Sequence, residues 1–150
     1  MTKQGIAVVA VGGNALIKDK ARQTIQDQYN CVEDTMTHIV DMIENGWDVV
    51  ITHGNGPQVG FSLRRSELAR EVLHEVPLDY CGAGTQGSIG YMLQMALHNE
   101  FKRRGINKVA ATIVTQAIVD KHDPAFEHPS KPIGSFMEEL EAKSRQAKDG

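Results

Sequence analysis

Two short apolar runs in this chain each break off into glycine: IAVVAVGGN, from Ile6 to Asn14, and WDVVITHGNGP, from Trp47 to Pro57. A continuous β-branched and alanine run bounded by glycine reads as a strand buried on both faces of a parallel sheet. The sequence therefore predicts strands over 6–11 and 47–52. Between them Ile25, Val32, Met36, Ile39, Val40 and Ile43 recur at helical spacing, with Thr24 available as N-cap and Gly46 placed to end the helix.

The pattern continues in the same alternation. Pro57 suits a first helical position, because its φ is fixed and its missing N–H would have no partner there. Ile89, Met92, Leu93, Ala96, Leu97 and Phe101 mark a third helix that Gly105 closes, and 109–114 reads as a third strand. The order β-α-β-α-α-β implies a mostly parallel sheet with helices on its faces, an α/β fold. Beyond Asp120 the character changes. KHDPAFEHPSKPIGSF carries Pro124, Pro129 and Pro132 and is neither a central strand nor an unbroken helix, so it is expected to leave the sheet. The closing MEELEAKSRQAKDG is helix-prone but lacks an apolar face for a core.

Composition narrows the function. The 150 residues are 41% hydrophobic and 23% charged, with a net charge of −3, which gives no basic footprint for nucleic acid. No window approaches the roughly 18 uninterrupted apolar residues of a membrane span. The run near Lys3 breaks at Gly12–Asn14 with no cleavage site after it, so a signal peptide is not expected. Cys31 and Cys81 are too few for a disulfide framework, which points to a reducing, cytoplasmic setting.

In an open α/β sheet, ligands sit outside the carboxyl ends of the strands, and both glycine clusters fall there. Either cluster alone could simply make a tight βα turn. Together, at equivalent strand ends, Gly12, Gly13 and Asn14 with His53, Gly54, Asn55 and Gly56 describe a backbone cradle for a small anion or phosphoryl group. Glycine allows positive φ and lets an anion approach N–H groups, and the helix after Pro57 adds partial positive charge. Neither cluster is GxGxxG or GxxxxGK[ST], which disfavours both dinucleotide and P-loop readings.

Other candidates carry two readings each. LDYCGAGTQGSIGY, from Leu78 to Tyr91, is either a loop capped by Thr85 or Ser88 or a ligand-contacting segment. Cys81 is expected as a buried thiol in preference to a nucleophile. His53 could orient a ligand or stabilise its loop. His122, Asp123 and His128 match no zinc spacing. Lys131, between Pro129 and Pro132, is a cation on a stiffened loop that could reach an anion or stay solvated.

The motifs AVGGNAL, THGNGPQVG, LDYCGAGTQGSIGY and HPSKPIGSF, in this order, resemble the carbamate kinases of the amino acid kinase family. The resemblance covers essentially the whole chain. It implies a three-layer α/β/α sandwich with a mostly parallel sheet, and a small protruding subdomain beginning near residue 120. On this basis 1–120 forms the carbamate- and phosphoryl-binding half, 121–150 starts the subdomain, and the nucleotide-binding half lies outside the sequence, since family members run to about twice this length.

The implied activity is reversible phosphoryl transfer between carbamoyl phosphate and ADP, giving ATP and carbamate with Mg²⁺ on the nucleotide, usually in a homodimer. The glycine loops at Gly12, Gly13, Asn14, Gly54, Asn55 and Gly56 would embrace substrate. Relatives such as N-acetylglutamate kinase carry a strand lysine where this chain has Ala10, and Lys131 matches the lysine that carbamate kinases supply from the subdomain. Competing expectations are a non-catalytic dimerisation or small-anion-binding module and a related kinase with another acceptor. Ala10 and KPIGSF argue against the latter.

Overall fold

The computed structural model describes residues 3–19, 21–134 and 137–149. Strand β1 spans Gly5–Val11 and β2 spans Trp47–His53. They pair in parallel in a strict register, from Gly5 opposite Trp47 to Val11 opposite His53. Between them α1, Ile25–Glu44, starts as its sequence predicts: the Thr24 hydroxyl accepts from the Asp27 N–H, and the Asp27 carboxylate accepts from the Thr24 N–H. This reciprocal box satisfies two donors that the first turn would leave open. The helix ends at Asn45, and Gly46 follows at φ 93.

Helix α2, Gly56–Ala69, carries Pro57 in its first turn. Helix α3, Leu78–Arg104, is closed by Gly105 in the left-handed conformation at φ 68, with Lys102, Arg103 and Arg104 in the last turn beside the negative end of its dipole. Helix α4, Glu139–Asp149, is polar as expected. A 3₁₀ turn at Pro124–Phe126 interrupts an otherwise irregular, exposed excursion.

The core lies between the sheet and the α1–α3 pair. Val32, Met36, Val40, Leu16 and Ile89 are shut off from solvent, and Val9, Val49 and Ile51 pack against them from the strands. Each such side chain contributes about 1.5–3 kcal/mol relative to exposure. At the far end Arg104 staples α1 to α3. Its Nη1 lies 2.6 Å from the Asp41 carboxylate and 2.5 Å from that of Glu44, its Nε lies 2.6 Å from Glu100, and its Nη2 donates to the Thr37 carbonyl.

Three expectations change. First, the α/β class and parallel sheet hold, but only one sheet face is covered among the described residues. Ile6 and Val8 are 70% and 68% exposed, because alternate residues point away from α1 and α3.

Second, residues 109–114 form no strand. They run extended along α3, whose side chains take their backbone groups: Gln94 donates to the Ala110 carbonyl at 2.9 Å, the Ala110 N–H donates to His98 Nε2 at 3.0 Å, and the Thr115 N–H donates to Gln86 at 2.8 Å. Thr112 presses on the bare face of Gly90, where an added Cβ would lie 2.2 Å from its methyl. An apolar cavity of about 590 Å³ lies between this segment, α3 and β2.

Third, Leu78–Tyr91 is not a loop. Helix α3 begins at Leu78 behind Pro77, and Thr85 and Ser88 lie inside it. Its glycines suggested a break, but Gly90 serves close packing, and Asp79 in the first turn supports the earlier start.

Candidate anion site at the strand ends

The register decides where the glycines meet. Because Val11 pairs with His53, the residues that follow each strand emerge side by side, and the Gly54 N–H donates to the Val11 carbonyl at 2.9 Å. The two turns then touch backbone to backbone. A Cβ on Gly54 would lie 2.9 Å from the Gly13 nitrogen, and one on Gly13 would lie 3.0 Å from the Asn55 nitrogen. Gly12 and Gly56 differ: an added Cβ at either would meet nothing within 4 Å. So Gly13 and Gly54 weld the turns together, while Gly12 and Gly56 border open space.

The reason for glycine also changes. Positive φ among the described glycines falls at Gly5, Gly46, Gly105 and Gly134, not in these turns. Close approach is what requires the missing side chain. After Gly13 the chain makes one 3₁₀ turn, Gly13–Leu16, which holds Asn14 and buries Leu16. The Asn14 side chain lies outside what the structure describes.

Asn55 precedes α2 as its N-cap residue, yet its side chain makes no capping bond. Its amide instead donates to the Thr85 hydroxyl at 2.8 Å, and that hydroxyl donates to the Gly82 carbonyl. This ties the second turn to α3, and leaves the N–H groups of the first turn of α2 without a side-chain cap from Asn55. One turn in, Gln58 is buried and donates to Gln28 of α1 at 3.1 Å, while its own Oε1 has no hydrogen-bond partner among the described residues. The β2–α2 turn is thus held from both neighbouring helices.

His53 ends β2 with Nδ1 3.2 Å from the Gly54 carbonyl oxygen, a bond that requires the proton on Nδ1. The imidazole engages its own loop, the stabilising reading. Cys81 is a buried thiol, its Sγ 3.7 Å from the Val76 carbonyl. No charged side chain lies within 12–16 or 54–58, so within these turns the groups that can attract an anion are backbone N–H groups and the N-terminal end of α2.

The excursion also meets the start of α2. The Gly134 N–H donates to the Gly56 carbonyl at 3.2 Å, and Gly134 packs on Gly60. Lys131, exposed, precedes this contact by three residues. Ser135 and Phe136 of the KPIGSF motif lie outside the described residues. The structure therefore brings together Gly12, Gly13, Gly54, Asn55 and Gly56 and anchors the Lys131 loop to α2. The Asn55–Thr85 bond and the Gly60–Gly134 contact were not singled out from the sequence, although Gly60 stands in the THGNGPQVG motif.

No protein-family model matches the chain. The carbamate kinase-like protein YahI of Escherichia coli is 52% identical over 134 residues, and the carbamate kinase of Thermococcus kodakarensis is 48% identical over 146. These alignments cover 88% and 95% of this chain but 42% and 46% of the relatives. The carbamate kinase of Giardia lamblia, solved bound to citric acid, superposes with a TM-score of 0.92 at 39% identity over 98% of this chain and 47% of that one. Solved bound to AMP-PNP, the same enzyme gives 0.81.

The chain is a homologue of the carbamate kinases. It spans less than half the length of the curated carbamate kinase relatives reported above. The glycine turns and the excursion all lie within the portion that superposes on the Giardia lamblia carbamate kinase, since that match covers nearly the whole chain.

Proposed function

We propose that this chain forms the carbamate- and phosphoryl-binding part of a carbamate kinase, which transfers a phosphoryl group reversibly between carbamoyl phosphate and ADP. The observation that carries this reading is the contact of Gly13 with Gly54 at adjacent parallel strand ends, with open space beside Gly12 and Gly56. Phosphoryl transfer asks a protein mainly for positioning and for neutralisation of the equatorial oxygens. Backbone N–H groups around Gly12, Gly13, Asn14, Gly54, Asn55 and Gly56 would hold the carbamoyl phosphate. Lys131 would bring the cation that Ala10 does not supply. ATP or ADP enters as the Mg²⁺ complex, and a homodimer is the assembly expected.

Residues 1–120 act as the substrate-binding unit, and 121–150 as the start of the subdomain that carries Lys131. The experiment is calorimetric titration of the 150-residue chain with carbamoyl phosphate, followed by assay for ATP formation with ADP. Saturable binding without turnover is expected from this portion alone, and the full-length enzyme carrying the same sequence should turn over. Absence of binding to the chain would remove the reading.

A further inference from the structure

The Lys131 loop meets the body of the molecule through backbone, and the sequence permits that contact at only two residues. On α2, Gly56 and Gly60 are four residues apart and lie on one face of the helix. The Gly134 N–H donates to the Gly56 carbonyl at 3.2 Å. At Gly60 an added Cβ would fall 2.0 Å from the Gly134 Cα and 2.5 Å from its nitrogen, and backbone atoms cannot swing aside as the tip of a side chain can. Gly134 has φ +80, a conformation that L side chains rarely adopt. Each glycine is therefore required for a separate reason: Gly60 for space, Gly134 for its backbone angle.

Among the described residues, little else holds this loop. Residues 121–133 are exposed throughout, and beyond the glycine contact a cavity of about 310 Å³ opens between α2, the loop and α4, bordered by Phe61, Ile133 and Arg145. Three residues of chain reach at most about 11 Å, so fixing Gly134 on the first turns of α2 confines Lys131 to the neighbourhood of the glycine turns. Pro132 stiffens the link between them.

Resting on the function proposed above, we propose that Gly60 and Gly134 are positioning residues: their backbone contact is the latch that sets Lys131 over the anion site. Neither touches the substrate. Their effect passes through the loop to the lysine.

The test combines amide hydrogen exchange with a double-mutant cycle in the 150-residue chain, using carbamoyl phosphate as the probe. Alanine is a better helix former than glycine, so Gly60→Ala should leave α2 folded while pushing the loop away. In the parent the Gly134 amide should be protected, and Gly60→Ala should speed its exchange at least about tenfold without changing Val32 or Leu93 in the core.

Gly60→Ala should also weaken carbamoyl phosphate binding as much as Lys131→Ala does, and adding it to Lys131→Ala should bring no further loss, because the two changes remove one interaction. A purely structural role for Gly60 would multiply the losses. An unprotected Gly134 amide in the parent, exchange unchanged by Gly60→Ala, or multiplicative losses would each overturn the latch. Should the parent fail to bind carbamoyl phosphate, the kinase reading falls, and the exchange measurement still decides whether the latch exists.

Discussion

The α1–α3 core and the strand-end rim are built by opposite means. In the core, large side chains do the specifying: Met36, Val32, Val40 and Ile89 fill the space between helices and sheet, and their apolar period fixes which face turns inward. At the rim, absence of side chains does it. Gly13 lies on Gly54, and Gly60 on Gly134, at separations where a single methyl would collide with backbone. A core tolerates exchange of one apolar group for another of similar volume. A contact between bare backbones tolerates almost nothing, and what it secures is the placement of N–H groups and a lysine more than stability.

That contrast can be broken by substitution. The largest effect is expected in the core, where Met36→Ala removes a fully buried side chain and should cost about 2–5 kcal/mol in denaturant unfolding. A smaller loss would mean that α1 and α3 close over the cavity. At the rim, Lys131→Ala in the full-length enzyme should reduce turnover at least about a hundredfold, the order of one preorganised charge stabiliser, while leaving the unfolding midpoint in place because the residue is exposed. Near-normal turnover would return Lys131 to the role of a solvated cation.

Between these, two neighbouring glycines should behave differently. Gly54→Ala must displace the Gly13 turn and should destabilise by about 1–3 kcal/mol. Gly12→Ala meets no atom and should change stability by less than about 0.5 kcal/mol, yet weaken carbamoyl phosphate binding. Equal stability loss in both would mean that Gly12 is a turn residue and not part of the site.

How far the sequence could be read follows the same division. The strands, α1 with its Thr24 cap, and the Gly105 stop were legible because each rests on local chemistry: a run of β-branched residues, a hydroxyl three residues before a carboxylate, a residue without Cβ. The strand-end glycines were legible as a pair, since parallel pairing must place them together. Periodicity could not show that α3 starts at Leu78, because glycine at Gly82, Gly84 and Gly87 looks the same whether it breaks a helix or rides along one. Nor could it show that 109–114 binds to Gln86, Gln94 and His98 of α3 in place of a strand, which depends on side chains from a distant segment. The Gly60–Gly134 contact joins positions 74 residues apart, and one sequence holds no sign of such a pairing.

Acid should sharpen the comparison last, since its expected effect is the smallest and falls on one side of it. Glu100 bridges Arg103 and Arg104 at the base of α3, and these guanidinium partners, Arg103 first, hold its carboxyl down from 4.5 to about 2. Asp41, across on α1, is lowered mainly by its hydrogen bond to Arg104. A carboxylate whose folded pKa is depressed binds fewer protons than it does unfolded. Its contribution is therefore complete above about pH 4.5 and drains away as pH falls toward 2. Thermal unfolding followed across that window should show the midpoint declining, and Glu100→Gln should flatten part of the slope, leaving the parts that Asp41, Asp48 beside Lys3 and Asp19 beside Arg22 supply. The glycine turns carry no carboxylate between residues 12 and 16 or 53 and 58, so the chain should lose α1–α3 cohesion in acid while exchange at the Gly54 amide keeps pace with global unfolding and never precedes it. If Gly54 opened first, the rim would depend on ionic contacts that bare backbone cannot make.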